Sequence, residues 1–204
     1  MPPSTPPKSL STMLYLLSVD PCKGRIAARR KVGHALRAAV LIDLVIRGRL
    51  SDAGGKVQVI NMEHTGDPVL DQVLDEILVD EIVRDRERKW KHWVRHDAGA
   101  VLDAVKKQLV SAGTIVVHKR LMRRKKVEVT DPASVDQLRQ RILSTLRSDQ
   151  VVEDLNLYEV VLTALAANGE LDAAIPGKER RLHQERLRAL TYLSPPVRPI
   201  AVPG

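Results

Sequence analysis

The chain has 204 residues, a length that suits one domain with a sizeable core. It carries 33 Lys and Arg against 25 Asp and Glu, a formal charge of +8, and so favours polyanionic partners such as nucleic acid or an acidic lipid leaflet. Cys22 is the single cysteine, which excludes an internal disulfide and a cysteine-built zinc site. No stretch approaches the roughly 18 consecutive apolar residues that span a bilayer, so any meeting with a membrane is expected to be peripheral and from the cytoplasmic side.

Residues 1–8 and 194–204 are Pro-rich and are expected to be unstructured tails flanking one helical domain over 9–193. The interior must be aliphatic, because Phe is absent and Trp and Tyr number two and three. Leu10 to Ser18 reads as a short buried helix. The apolar run Met13 to Val19 lacks a basic lead and a cleavage site, so no secretory leader is expected. Asp20 to Gly24 is a turn. Val32 to Arg47 is apolar nearly all round, the pattern of a central core helix, and Gly48 stops it. Leu50 to Met62 reads as a hairpin around Asp52-Ala53-Gly54-Gly55. Asp67-Pro68 opens a helix with Val69, Leu70, Val73, Leu74, Ile77 and Leu78 on one face, its pattern running through Ile82 into the charged Arg84–Lys91. An amphipathic helix over 97–112 closes at Gly113. Thr114–His118 and Val127–Val129 are two strands joined by a basic turn. Further helices follow from Asp131-Pro132, over Leu155 to Ala167, and over Lys178 to Tyr192. The fold class is mainly α: a single compact helical domain around a central apolar helix, with one or two small β-hairpins.

The turn of the 114–129 hairpin is the strongest local feature. Lys119, Arg120, Leu121, Met122, Arg123, Arg124, Lys125 and Lys126 place six cations around an apolar tip. Such a loop can press its charges on phosphates and push its tip to the acyl boundary, each cation contributing about 1 kcal/mol near an anionic leaflet. The same run also reads as a solvated turn whose charges protect a strand edge. A third reading is a winged helix, with the hairpin tracking a nucleic-acid backbone and the 97–112 helix (Asp103, Lys106, Lys107, Gln108) entering a groove. His92 and His96 stand at i and i+4, the spacing of two metal ligands, but no third ligand accompanies them and a surface pair is the simpler reading. Of Trp90 and Trp93, one is expected in the core. No phosphate-cradling Gly-rich loop, no nucleophile elbow and no distinctive acid pair is present, so catalysis, a metal and a cofactor are not expected.

The run Leu41-Ile42-Asp43-Leu44-Val45-Ile46-Arg47-Gly48-Arg49-Leu50 resembles the signature of the Golgi phosphoprotein 3 family: an acidic residue in an apolar helix, then Arg-Gly-Arg-Leu. Leu14-Tyr15-Leu16-Leu17 and Thr65-Gly66-Asp67 before Val69-Leu70-Asp71 are similar to the family's opening helix and next helix start. The order of elements continues to about residue 193. The resemblance implies a helical domain whose hairpin supports oligomerisation, and binding of phosphatidylinositol 4-phosphate. In the eukaryotic branch it also implies adaptor work on glycosyltransferases. That branch carries a long acidic leader, and this short Ala- and Arg-rich sequence looks more like the bacterial branch. Of the family's head-group pocket, the early core-helix arginine matches Arg37. The tryptophan position falls on Ala28, and two further arginine positions fall near Gly99 and Leu102. Arg25, Arg29 and Arg30 stand just before the core helix and can substitute for the lost groups. The function expected is therefore binding of anionic lipid head groups, with nucleic-acid binding and an adaptor role free of lipid contact as the alternatives.

Overall fold

The computed structural model describes residues 9–119 and 125–192. Its first helix, α1 (Leu10–Ser18), starts at Ser9, whose hydroxyl accepts from the N–H of Thr12. Nearly every residue of α1 is buried, Leu10, Leu14, Tyr15 and Leu17 completely. It packs on α2 (Arg29–Ile46), the longest helix, which also touches α3 (Pro68–Leu78), α4 (Trp90–Arg95), α5 (Ala98–Ser111) and α7 (Leu157–Asn168). A helix surrounded on all sides must be apolar on all sides, and α2 buries Leu36, Ala39, Val40, Leu41, Ile42 and Leu44 together. Gly33 lets α5 come close: a Cβ there would stand 2.8 Å from the Ala98 carbonyl oxygen.

The outer helices start where capping chemistry dictates. Asp67 accepts from the N–H groups of Val69 and Leu70, and Pro68 takes the first helical position of α3. Asp131 caps α6 (Pro132–Arg147) in the same way, and Asn156 caps α7. The predicted final helix is two, α8 (Gly177–Leu182) and α9 (Gln184–Tyr192), with the break at His183.

Among the described residues the strands form three two-stranded antiparallel pairs. The pair β3 (Leu50–Ala53) and β4 (Lys56–Val59) turns at Gly54-Gly55, and β5 (Ile115–Lys119) pairs with β6 (Lys125–Val129), as the sequence predicts. The third pair, β1 (Val19–Asp20) with β2 (Arg25–Ile26), flanks the Asp20–Gly24 turn and is too short to carry a periodic signal. After α3 the chain makes a π-turn over Val79–Val83 and then runs extended instead of continuing as helix. The Arg88 carbonyl accepts from the N–H of Val57, so this charged segment lies along β4. Both tryptophans, not one, are in the core at 2% exposure, and the Trp90 indole N–H donates to Asp52.

Two ionisable groups lie on the buried length of α2: Arg37 and Asp43. One Asp43 carboxylate oxygen accepts from the Leu10 N–H at 2.7 Å, satisfying a free donor at the start of α1 and docking α1 to α2. Burial nevertheless pushes the Asp43 carboxyl from 3.8 up to about 6, against the lowering effects of the Leu10 bond and Arg47. The folded chain thus holds this proton at pH values where the unfolded chain has released it. The contribution is fully present below the ordinary carboxylate range and is lost as pH rises through about 6. Asp43→Asn keeps an acceptor for Leu10 without the charge. Urea unfolding at acidic and neutral pH is expected to show the parent losing about 3 kcal/mol relative to the variant over that rise; equal pH dependence in both would contradict it.

Candidate anion-binding face

The start of α2 breaks the usual rule for helix ends. Its first turn holds Arg29, Arg30 and Lys31 and no acid, where the helix dipole favours negative charge. Ala28, at the N-cap with φ 46°, offers no side chain to the free N–H groups. Positive helix end and positive side chains therefore add, and an anion is the group that relieves both. Of the first-turn cations, Lys31 pairs with Glu170 at 2.6 Å and Arg29 with Asp103 at 3.2 Å. Arg30 is exposed and has no ion pair with any described residue.

The hairpin β5–β6 is tied to this end of the molecule by Gly24. The Gly24 carbonyl accepts from the N–H of Val127 at 2.7 Å, and its φ of +58° turns the chain into β2. A Cβ at Gly24 would stand 2.6 Å from Cγ of Lys126, so the lysine stem lies directly across the glycine. Arg25, the next residue, is exposed. Lys126 is thus packed against Gly24, the residue before Arg25, on the chain that leads into α2. Acids are mixed in: Glu128 meets His118 at 2.8 Å, and Asp20 accepts from the N–H groups of Cys22 and Lys23. Of the predicted hairpin residues, Arg120, Leu121, Met122, Arg123 and Arg124 lie outside the described residues, and Lys119 and Lys125 enter only through their strand backbone.

Arg37 lies under the surface, not on it. Its guanidinium is fully buried, donates from Nε to the Trp93 carbonyl at 3.1 Å, and meets Glu76 at 2.8 Å in an ion pair too poorly angled for a hydrogen bond. It also stands over the Trp93 ring, 5.9 Å from its centre. A head group reaches Arg37 only if the Glu76 pair opens. The ion pair joins α2 to α3, and the Nε bond to the Trp93 carbonyl ties α4 to the same guanidinium.

Lys91, His92 and Arg95 on α4, with His96 at its C-cap, lie outside the core and are cationic or titratable. Sequence reading picked out the two histidines alone. The i, i+4 spacing of Lys91 and Arg95 repeats that of His92 and His96, and was the signal for one shared face. The histidine rings stack at 5.4 Å. Among the described residues no group of three or more His, Cys, Asp or Glu can hold a metal ion, and no described helix is long and apolar enough to cross a membrane.

The family model for Golgi phosphoprotein 3 (GPP34) matches residues 10–201, nearly the whole sequence. The chain belongs to the Golgi phosphoprotein 3 family. A comparison with curated proteins found no match. In this Golgi phosphoprotein 3 family chain, Ala28 and Gly99 are exposed, while Leu102 is buried at 2%. None of the three can take over the tryptophan or arginine that the resemblance assigns there.

Two substitutions test this geometry. Arg37→Ala is expected to lower unfolding stability by about 2–4 kcal/mol, because it removes a buried pair and leaves a void, whereas Arg30→Ala stays within about 0.5 kcal/mol. Equal small effects in urea melts would show that Arg37 does not hold α4. Gly24→Ala meets both a left-handed φ and the Lys126 stem. Amide exchange at Val127 is expected to quicken by about tenfold or more, while α2 amides keep their protection.

Proposed function

We propose that this Golgi phosphoprotein 3-like protein is a peripheral membrane protein that docks on anionic lipid head groups, with no catalytic step. The uncapped start of α2, with three cations in its first turn, carries the reading. Phosphate groups satisfy free N–H donors and arginine forks at once. Arg25, Arg29 and Arg30 form the head-group side, and Lys126 with the rest of the basic run Lys119–Lys126 supplies added attraction. Leu121 and Met122 serve as a shallow apolar wedge. Arg37 acts from beneath by bracing α4 through the Trp93 carbonyl. Phosphatidylinositol 4-phosphate is the head group that family membership favours. Protein clients and self-association through the hairpin are the companion interactions the family suggests, on the cytoplasmic face of a membrane.

Vesicle sedimentation at physiological salt tests the proposal. Phosphatidylcholine vesicles should leave the protein in solution, and vesicles carrying phosphatidylinositol 4-phosphate should pull it down. Arg25→Glu with Arg30→Glu is expected to weaken binding by about tenfold or more, and raising salt should weaken it further. Equal sedimentation of the parent and the double variant would remove the α2 start from the interface. Retention of duplex DNA but of no vesicle, with a steep salt slope, would replace the reading by nucleic-acid binding.

A further inference from the structure

A second basic feature stands apart from the hairpin. Lys91, His92, Arg95 and His96 line a shallow pocket of about 370 Å³ on α4. Its lining contains no carboxylate. The exposed Lys91 and Arg95 have no ion pair with any described residue, unlike Arg84 and Arg88 upstream, which clamp Asp80 at 2.9 and 2.8 Å. From α2, Arg30 and His34 border the same region, since Arg30 and Arg95 both act on the His34 ring. Below lies the buried Arg37, whose one acidic partner, Glu76, belongs to α3. The charges acting on His92 are Arg88, His96 and Arg37, and from the other sign Asp80, itself clamped. Asp97 follows His96 in sequence but is not among the residues lining the pocket. Cations collected without counter-charge repel one another, and such an arrangement is relieved by a bound anion.

We propose that the α4 pocket is a binding site for a phosphate monoester, with Lys91 and Arg95 as fixed charges and the rings of His92 and His96 as hydrogen-bond donors to its oxygens. A metal ion is the less fitting occupant: two imidazoles alone are a poor ligand set, and Lys91 and Arg95 repel cations. Burial, Arg88 and His96 hold the His92 ring below its usual pKa, so in the empty site it tends to be neutral. A phosphate dianion beside it favours the charged ring. Linkage then requires binding to tighten as pH falls from neutrality, until the phosphate itself takes a proton near about pH 6. The larger pocket on α6, about 540 Å³, does not compete, because its one cation, Arg147, is held by Glu179 at 3.1 Å.

The residues that line this pocket, Lys91, His92, Arg95 and His96, are not those assigned to the membrane face, although Arg30 borders both; substitutions at Lys91 and Arg95 therefore test the pocket apart from the Arg25 and Arg30 variant. The test is a titration of the full chain with glycerol 3-phosphate, read by NMR of the histidine ring signals. The His92 and His96 signals should move saturably, while His64 and His118, paired with Asp75 and Glu128, stay still. Affinity should strengthen about threefold from about pH 7.5 to 6.5, and Lys91→Gln with Arg95→Gln should weaken it about tenfold or more. Uniform, non-saturating shifts of every histidine, or an unchanged affinity in the double variant, would overturn the site. Phosphatidic acid vesicles then separate the sources. Sedimentation lost with the α4 double variant makes the ligand a lipid monoester. Sedimentation unaffected by it, beside a saturable glycerol 3-phosphate titration, makes it a soluble one.

Discussion

The architecture depends on a charged side chain placed where charge is expensive. Arg37 sits in the middle of the central helix with no exposure, and its cost is offset by Glu76 from α3 and by the Trp93 carbonyl from α4. Neither partner is local in sequence. The guanidinium therefore fixes how three helices meet, and it does so under the surface where the free cations of α2 and α4 emerge. Loss of this contact would release α4, and with it the arrangement of Arg30, His34, Arg95 and the histidine pair.

Asp43 has a parallel role further along the same helix. It docks α1 by accepting from the Leu10 N–H, at the expense of a carboxyl held unusually protonated. A helix this apolar has few ways to specify its neighbours, since aliphatic contacts tolerate sliding. Two buried polar contacts, one toward α1 and one toward α3 and α4, supply a register that aliphatic packing alone does not.

Much of this was legible in the sequence for definite reasons. The all-round apolar pattern of residues 32–47 marks a helix enclosed by others, and Asp67-Pro68 and Asp131-Pro132 are start signals with a capping mechanism. The Gly54-Gly55 turn and the hairpin over 114–129 were likewise readable. Elements decided by tertiary contact were not. The β1–β2 pair is two residues long on each side, and the extended path of residues 84–89 follows from its bonding to β4. Only one of Trp90 and Trp93 is expected in the core from sequence, and both are buried because α4 is short and packed on α2. Arg37 shows the limit most clearly. Its match to a family pocket suggested a surface contact, and only the fold reveals Glu76, 39 positions away, as its partner. The proposed basic face rests on residues that sit close in sequence or within one hairpin, which is why the sequence suggests it. The α4 cluster was half legible, since spacing alone cannot reveal that Arg30 and His34 stand beside it.

The most direct measurement is hydrogen–deuterium exchange of the full chain on vesicles containing phosphatidylinositol 4-phosphate, compared with neutral vesicles. Slowed exchange confined to peptides spanning residues 22–34 and 114–130 is the expected footprint of docking through the α2 start and the hairpin. Slowing on α6 and α9 instead, or none on vesicles that sediment the protein, would contradict it.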